Sequence, residues 1–385
     1  MSMVFLATYL GWAAAVIALF GTAYAFLAAI LAARFMGMTS QGAGATPPVT
    51  ILKPLHQGEP GLFENLETFY AQDYPGPVQI VFGVHDKADP ALAVVRRLDA
   101  KYPGRDTAIV VDPSLYGANA KVSNLINMLP QARHDTLVLS DSDIAVGPHW
   151  LAHVTGALER PGVGIVTCFY TGEAAPGAHP LWSALSAMGT SYEFLPNAVL
   201  GTSLGLAAPC FGSTIALRRR TLDEVGGFAA FADFLADDYE IGRAVRARGY
   251  ALAMPSLGVS HTAAERSAGE LVRHELRWNR TIRLVNPWGH LGSIVTFAVP
   301  FALLAAPLLH FSVAALAVVA AALAARCFLK YRIDAIFGTR AGPYWLLPLR
   351  DLLSFAVFLA SLTGETVDWR GSRFAVEPSG AMSQS

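Results

Sequence analysis

Two aspartates, Asp141 and Asp143, follow the short run of mostly branched apolar residues Thr136–Leu139. Their spacing puts both carboxylates on the same side of an extended chain. A hard divalent cation prefers oxygen ligands, and magnesium typically takes one or two carboxylates together with substrate phosphates. The pair therefore predicts a metal-diphosphate site at the end of a strand.

Polar residues also follow two other apolar runs. Lys53 follows Val49–Leu52, and Asp86 follows Val78–Val84. Ligands of open α/β sheets bind beyond the carboxyl ends of the strands. We therefore expect Lys53 and Asp86 to lie at the same edge as Asp141, although Asp86 alone is equally explained as a turn or capping residue.

Two further motifs lie on predicted helices. Asp237 and Asp238 open an amphipathic helix that runs to Arg248, where acidic residues also stabilise a helix start. The segment His274–Trp278 lacks the second histidine of a zinc-binding His-Glu-x-x-His helix. Without other information it indicates a basic amphipathic helix at a membrane surface.

The sequence contains neither a Walker motif nor a Gly-x-Gly-x-x-Gly turn after its first predicted strand. A kinase, a nucleoside triphosphatase and a dinucleotide-dependent dehydrogenase are therefore excluded. A nucleotide that is held through a metal ion stays compatible with the sequence.

Short apolar runs alternate with helical periodicity between Val49 and about Leu284. This alternation predicts an α/β fold with a mostly parallel sheet covered on both faces. The predicted strands are Val49–Leu52, Val78–Val84, Thr107–Val111, Thr136–Leu139 and Val163–Cys168, and the predicted helices are Leu62–Tyr70, Pro90–Lys101, Lys121–Leu129 and Trp150–Leu158.

The composition indicates a chain that is partly in membrane. Charged residues make up 15% of the 385 residues and apolar residues 53%, with a net charge of −1. An ordinary soluble domain has about 25% charged residues. The near-neutral balance excludes a nucleic-acid-binding protein that depends on bulk positive charge. Three cysteines without metal spacing fit a reducing compartment.

Charge-free segments locate the membrane-spanning regions. Residues 3–33 are long enough to span a bilayer and lack the charged start of a signal peptide, so we predict a retained anchor. Residues 284–325 are too long for one span, and Pro307 and His310 predict a hairpin of two helices. Residues 352–364 form a third span, an interfacial helix or a buried core helix.

These segments divide the chain into five parts: an N-terminal transmembrane anchor (1–34), a linker (35–48), the α/β domain (49–285), a C-terminal membrane region (286–366) and a tail (367–385). After Glu377 the tail has the composition of a disordered segment. Basic residues flank the spans on the side of the α/β domain: Arg34, Arg326, Lys330, Arg332 and Arg340. The positive-inside rule therefore predicts an integral membrane protein whose α/β domain is cytoplasmic.

In their order, these motifs resemble the family 2 glycosyltransferases, in particular the ceramide glucosyltransferase-like branch, family 21. Three aspartate motifs, at Asp86, Asp141 and Asp238, precede a signature that ends in Arg277-Trp278. Shorter segments also resemble that branch: Lys53-Pro54-Leu55, Asp73-Tyr74-Pro75, Asn119-Ala120-Lys121 and Val225-Gly226-Gly227-Phe228. The resemblance covers roughly residues 50–285 and implies a GT-A type sheet domain with flanking transmembrane helices.

The resemblance implies inverting transfer from a UDP-sugar to a lipid hydroxyl. Asp238 is implied as the general base that accepts the proton of the attacking hydroxyl. The implied nucleotide-binding residues are Lys53, Asp86, Lys121 and Asp141, and Asp143 is implied to bind Mg²⁺ or Mn²⁺ on the diphosphate. His274, Arg277 and Trp278 are expected at the diphosphate and the acceptor, although His274 replaces the Gln or Arg of the signature.

The acceptor and the sugar are less defined than the reaction. The leading expectation is N-acetylglucosamine transfer from UDP-GlcNAc to a hopanoid polyol (bacteriohopanetetrol) in a bacterial inner membrane, because bacterial relatives with this architecture glycosylate such polyols and the composition is rich in alanine. The alternative is ceramide with UDP-glucose, followed by diacylglycerol. The apolar segment Phe194–Phe211 is either an interfacial surface beside the site or a buried loop.

Two other classes of protein stay open. Gly201–Gly205 matches the Gly-x-Ser-x-Gly elbow of serine hydrolases, with Ser203 as nucleophile and His261 following in the chain, but the elbow requires a strand before the serine. A membrane scaffold with a degenerate transferase domain is the non-enzymatic alternative.

Overall fold

The computed structural model describes residues 3–38 and 46–364, together with three short strands between residues 366 and 384. The strands are β1 Val49–Pro54, β2 Val78–Val84, β3 Asp106–Val111, β4 Thr136–Leu139, β5 Ile144–Ala145, β6 Val163–Thr167, β7 Phe169–Ala174, β8 Ile215–Arg218, β9 Ala251–Ala253, β10 Gly258–Ala263, β11 Thr366–Trp369, β12 Ser372–Val376 and β13 Met382–Gln384.

The helices are α1 Met3–Met36, α2 Leu62–Tyr70, α3 Ala91–Lys101, α4 Ala120–Met128, α5 Trp150–Leu158, α6 Pro180–Gly189, α7 Leu195–Ser203, α8 Arg219–Glu224, α9 Asp237–Ala247, α10 Ala268–Val285, α11 Pro287–Gly292, α12 Ala298–Leu308, α13 Val313–Phe337 and α14 Leu347–Ser361. A π-helical turn, Thr190–Phe194, joins α6 to α7. The predicted strands and helices of the α/β region match this list to within two residues at each end.

The main sheet has the strand order β3-β2-β1-β4-β8-β6-β9. Its first four strands are parallel, as predicted, whereas β8 runs antiparallel to both of its neighbours. Successive residues of β1 belong to apolar clusters on opposite faces, Ile51 on one and Leu52 on the other. The sheet is therefore covered on both sides, and the polar residues after β1, β2 and β4 lie at one edge.

A second sheet brings a later segment of the chain to this edge. In it, β10 lies between β5 and β7, antiparallel to the former and parallel to the latter. The short strand β5 follows Asp143 directly, and His261 pairs with Ile144 in the register of β10. This pairing places His261 next to the Asp141–Asp143 segment.

Among the described residues, three helical stretches are long and apolar enough to cross a membrane: Phe5–Met36, Val313–Phe337 and Tyr344–Ser361. The pair Pro287–Thr296 and Ala298–Leu308, which is bent by 55°, would be a fourth if it forms one span. The chain turns between α12 and α13, where His310 and Phe311 both have a φ of 52°. The hairpin predicted from Pro307 and His310 has its turn at this place.

Small residues hold the first three membrane helices together. Ala18 of α1 packs in one cluster with Ala298 and Ala302 of α12 and with Ala322 of α13. A Cβ atom on Gly21 would lie 2.8 Å from the backbone nitrogen of Ala298. Glycine and alanine at such positions let membrane helices approach closely enough for dispersion contacts to hold them.

The charges on α13 and α14 are mostly buried in ion pairs. Arg326 binds Asp351 through two hydrogen bonds of 2.8 and 2.7 Å, and Lys330 lies 2.9 Å from Asp334. Arg326 and Lys330 therefore make specific protein contacts rather than marking the cytoplasmic surface. The orientation predicted from the basic residues depends correspondingly more on Arg34, Arg332 and Arg340.

Three segments were expected to be irregular: Phe194–Phe211, the linker and the tail. Residues 194–203 of the first are helical rather than loop, since the π-helical turn and α7 cover them. Half of the predicted linker 35–48, residues 39–45, lies outside the described residues. The tail after Glu377, predicted to be disordered, contains the strand β13, and its other residues are outside the described part of the chain.

Candidate active site

Lys121 connects the two acidic motifs at the carboxyl edge of the sheet. Its ammonium nitrogen lies 2.7 Å from Asp141 Oδ1 and 3.2 Å from Asp237 Oδ2, and its side chain is only 13% exposed. Burial alone would lower the pKa of Lys121, but the surrounding carboxylates of Asp141, Asp237 and Asp238 raise it above its usual range. Lys121 therefore stays charged and holds the loop after β4 against the start of α9.

Asn119 supports the same junction as the N-cap of α4. Its side-chain oxygen accepts a hydrogen bond from the Val122 N–H at 3.1 Å. Its amide nitrogen donates to the carbonyl oxygen of Phe234 at 2.8 Å and to Asp237 Oδ1 at 3.3 Å. The capping residue of one helix thus fixes the first acidic residue of another.

Asp238 is more accessible than Asp237. Its Oδ2 accepts a hydrogen bond from the Gly212 N–H at 2.8 Å, and its Oδ1 accepts one from the Tyr239 N–H at 2.7 Å. Burial, followed by the neighbouring charge of Asp237, raises the pKa of Asp238 to about 6. A partly exposed carboxylate with a raised pKa is suited to accept a proton near neutral pH.

Asp143 faces a histidine that the sequence did not identify as a partner. His261 Nε2 lies 3.3 Å from Asp143 Oδ2, and the Thr262 N–H donates to the Asp143 carbonyl oxygen at 2.8 Å. Burial would raise the pKa of Asp143, but the His261 ring and the Lys53 ammonium outweigh it and lower that pKa to about 2. Only the pairing of β10 with β5, which is long-range in sequence, could have revealed this contact.

The structure places Lys53 beneath the site. The residue is fully buried. Its ammonium group donates a hydrogen bond to the Asp141 carbonyl oxygen, and the ammonium nitrogen lies 3.8 Å from the centre of the Phe69 ring. Burial lowers the pKa of Lys53 to about 7, although Asp141 and Asp143 oppose this shift. Its contacts are those of a residue that positions Asp141, and the predicted contact with a nucleotide stays a prediction.

Asp86 lies at the same sheet edge but makes a local turn contact. It is exposed, and its Oδ1 accepts a hydrogen bond from the Ala88 N–H at 2.8 Å. The preceding residue, His85, is fixed by the carbonyl oxygens of Asp112 and Ala120 at 2.9 and 2.8 Å. The turn interpretation of Asp86 and its predicted nucleotide contact are both compatible with this position.

Helix α10 presents His274 and Trp278, four residues apart, towards His261. The rings of His274 and Trp278 are 4.4 Å apart, and Trp278 is 5.5 Å from the ring of His261. His274 Nδ1 lies 2.6 Å from Glu265 Oε1. The next residue, Glu275, binds the buried Arg350 of α14 at 2.6 Å. Helix α10 therefore contacts the site and a membrane helix through different residues.

Ser203 does not have the geometry of a hydrolase nucleophile. It is the exposed last residue of α7, so a helix precedes it where the elbow requires a strand. His261, which that alternative needs as its base, contacts Asp143 instead.

We predict that Lys121→Met strongly destabilises the protein, because the change leaves the Asp141 and Asp237 carboxylates without their shared counter-charge. Breaking a buried pair costs about 3–5 kcal/mol. Lys101→Met is the matched control, since the Lys101 side chain is 53% exposed and pairs with Glu67 at the surface. Thermal unfolding of the full chain in detergent measures both. Equal, small losses in the two variants would contradict the proposed importance of Lys121.

Comparisons with known proteins find relatives that are named as sugar transferases. Ceramide glucosyltransferase 1 of Caenorhabditis elegans is 29% identical over 227 residues, which is 59% of this chain and 47% of that relative. Ceramide glucosyltransferase of Candida albicans is 36% identical over 107 residues, 25% of this chain and 20% of that relative. The chain thus spans about half, or less, of the curated relatives that it matches.

A mannosyltransferase from Pyrobaculum calidifontis, solved in complex with GDP-Man and Mn²⁺, is similar at 21% identity and a TM-score of 0.49, over 91% of this chain and 99% of that one. The family match covers nearly the whole chain, since the sequence pattern described as Glycosyl transferase family 21 extends over residues 13–382. Together with the mostly parallel sheet and its flanking apolar helices, this match supports the GT-A type fold expected from the resemblance. The chain belongs to glycosyl transferase family 21.

Proposed function

We propose that this protein transfers a sugar from a UDP-sugar to the hydroxyl group of a membrane lipid, with inversion at the sugar. The observation that carries the proposal is the convergence of Asp141, Asp143 and Asp238 at one sheet edge, where Lys121 pairs with Asp141 and with Asp237, the neighbour of Asp238. Family membership supports sugar transfer, and the apolar helices beside the domain support a lipid acceptor.

For the acceptor and the donor we propose ceramide and UDP-glucose. The relatives named as ceramide glucosyltransferases support this pair better than the hopanoid polyol and UDP-GlcNAc that the sequence first suggested. The cytoplasmic position of the catalytic domain and a bacterial inner membrane stay predictions from the sequence.

In the proposed reaction, Asp238 accepts the proton of the acceptor hydroxyl as that oxygen attacks the anomeric carbon. Asp237 is less suited to this role, because its side chain is 7% exposed and bound by Lys121. The inverting route needs no covalent intermediate on the enzyme. Arg277 and Trp278 are proposed to contact the diphosphate and the acceptor. The contact of the Trp278 ring with His261 supports this, as does the place of Arg277 next to it on α10.

The residues present fit a divalent cation such as Mg²⁺ or Mn²⁺. Asp143 supplies a carboxylate oxygen, the type of ligand that both ions prefer, and His261 has an imidazole nitrogen beside it. Imidazole is a ligand of transition-metal ions rather than of Mg²⁺, so this pair suits Mn²⁺ better. In the described part of the chain, no group of three or more His, Cys, Asp or Glu could hold a metal ion. This fits an ion that takes its other ligands from the diphosphate and water; when bound, it would neutralise charge on the departing nucleotide.

The identity of donor and acceptor can be tested with the full chain in lipid vesicles. We expect that labelled UDP-glucose, but not labelled UDP-GlcNAc, yields a labelled lipid when ceramide is present, with the product identified by mass spectrometry. Vesicles with a hopanoid polyol or diacylglycerol serve as the comparison. Transfer to the hopanoid polyol alone would contradict the proposal that ceramide is the acceptor. The absence of any lipid product would contradict the proposed reaction itself.

We predict that Asp238→Asn reduces sugar transfer by at least about a hundredfold, as expected when a general base is lost. Binding of UDP should stay near the wild-type level, because the amide keeps the size of the side chain and can still accept one of the two hydrogen bonds that Gly212 and Tyr239 donate to Asp238. Asp223→Asn, at an exposed position of α8, is the matched control. Substantial transfer by Asp238→Asn would show that another residue is the base.

We predict that Asp143→Ala removes most of the enhancement of UDP binding by Mn²⁺. The change deletes the carboxylate that faces His261, so the ion loses a protein ligand. Calorimetric titration with UDP, with and without Mn²⁺, measures the effect independently of turnover. Asp73→Ala, whose side chain is 76% exposed on another part of the surface, is the control. An unchanged metal dependence would exclude Asp143 as a ligand.

A further inference from the structure

Four aromatic side chains from separate parts of the chain form one surface next to the acidic residues. Tyr170 stacks on Phe194 with ring centres 4.7 Å apart, and Phe211 lies 5.7 Å from Tyr170 and 5.4 Å from Phe194. Trp278 extends the surface, 6.5 Å from Phe194. We call these four residues the aromatic wall. Phe211 is buried, whereas the other three are partly exposed.

One end of the aromatic wall adjoins the residues proposed to bind metal and accept the proton. Phe211 directly precedes Gly212, whose N–H binds the Asp238 carboxylate at 2.8 Å. The ring of His261 lies 5.9 Å from Tyr170 and 5.5 Å from Trp278. A molecule held on the wall would therefore have one end within reach of Asp238.

The Tyr170 hydroxyl is available to a ligand at this end. No hydrogen bond joins it to any of the described residues, whereas the hydroxyls of Tyr70 and Tyr74 donate to Asp99 and to the Pro47 carbonyl oxygen at 2.9 and 2.6 Å. Burial and the nearby carboxylates, Asp238 first among them, keep the pKa of Tyr170 well above its usual value. Tyr170 is therefore a neutral hydrogen-bond donor beside the acids.

The other end of the aromatic wall leads to a membrane helix. Phe194 directly precedes α7, and α7 packs with residues of α1 from Ala25 to Ala32 in one apolar cluster. The Tyr24 hydroxyl of α1 donates to Asn197 Oδ1 at 2.5 Å. Beyond α7, Leu204 and Leu206 are 51% and 71% exposed. An apolar surface thus continues from the site to a helix that can cross the membrane.

We propose that the aromatic wall is the subsite of the acceptor lipid, in which the Tyr170 hydroxyl hydrogen-bonds the polar end of the lipid and Phe194 packs against the first part of its hydrocarbon. The four wall side chains carry no charge, which suits hydrocarbon, while the charges lie at the Asp238 end. This inference rests on the proposed transfer to a lipid hydroxyl. The other occupant to consider is the sugar of the donor, which aromatic rings also bind.

Photocrosslinking tests the subsite without requiring turnover. The full chain in lipid nanodiscs is irradiated with a ceramide that carries a diazirine close to its head group, and the modified peptide is mapped by mass spectrometry. We expect adducts within the segment 190–211 and at Trp278, and loss of adducts when unlabelled ceramide competes. Labelling confined to the outer faces of α1 and α13, without competition, would overturn the inference.

Kinetics of two conservative variants separate the acceptor from the donor. Phe194→Leu should raise the KM for ceramide about tenfold, as loss of apolar contact in a pocket does, with a long-chain and a short-chain acceptor alike, because both contain the first part of the hydrocarbon. Tyr170→Phe should lower kcat/KM for both acceptors about fivefold to tenfold, the size expected for one hydrogen bond. Slow hydrolysis of the donor without lipid should be unchanged in both.

Phe63→Leu, on α2, and Tyr331→Phe, on an exposed face of α13, are the matched controls and should leave both kinetic constants unchanged. A loss of donor binding or of donor hydrolysis in Phe194→Leu would assign the wall to the sugar and overturn the inference. Wild-type transfer to lipid with unaltered acceptor constants in both variants would overturn it while leaving the proposed function intact. Crosslinking at the wall without any transfer would instead contradict the proposed function alone.

Discussion

The rest of the site depends on the ion pairs that the Lys121 ammonium group forms with Asp141 and Asp237. Four carboxylates, those of Asp141, Asp143, Asp237 and Asp238, converge on one edge of the sheet, where their mutual repulsion would separate them. Lys121 binds two of them, and Lys53 supports the backbone of the Asp141–Asp143 segment from below. Two lysines and four aspartates give the cluster a net negative charge, which favours binding of a cation. The ion pairs of Lys121 with Asp141 and Asp237 keep the carboxylates close together.

Much of this arrangement could be read from the sequence because it is set by local patterns. Strands of branched apolar residues end where Asp86 and Asp141 begin, and parallel strands bring those ends together. Lys53 also lies at this edge, as expected, but its full burial could not be read from the pattern. It lies in a strand buried on both faces, and a lysine is so seldom fully buried that its type suggested a ligand contact. His261 and Tyr170 reach the site only through the second sheet, whose pairing is long-range.

The charged residues of the last two membrane helices show a similar limit. Arg326 and Lys330 follow an apolar segment and so resemble residues that mark the cytoplasmic side, but both are buried and bound to carboxylates. Their partners lie in the same two helices, Asp351 in α14 and Asp334 in α13. Sequence periodicity does not distinguish a basic residue at a membrane surface from one in an internal pair, since both follow an apolar stretch.

The pair formed by Glu275 and Arg350 has a consequence for how the protein folds. It joins α10, the helix that carries the proposed ligand-binding residues, to α14, while α7 lies against α1. One apolar cluster includes a residue from each of these four helices: Ala28, Leu195, Leu271 and Leu347. The boundary at residue 285, clear in the sequence, therefore does not separate two independently stable units. Residues 46–285 alone would expose that cluster to water and leave the Glu275 carboxylate unpaired, so folding of the catalytic domain is expected to require the membrane helices already in place.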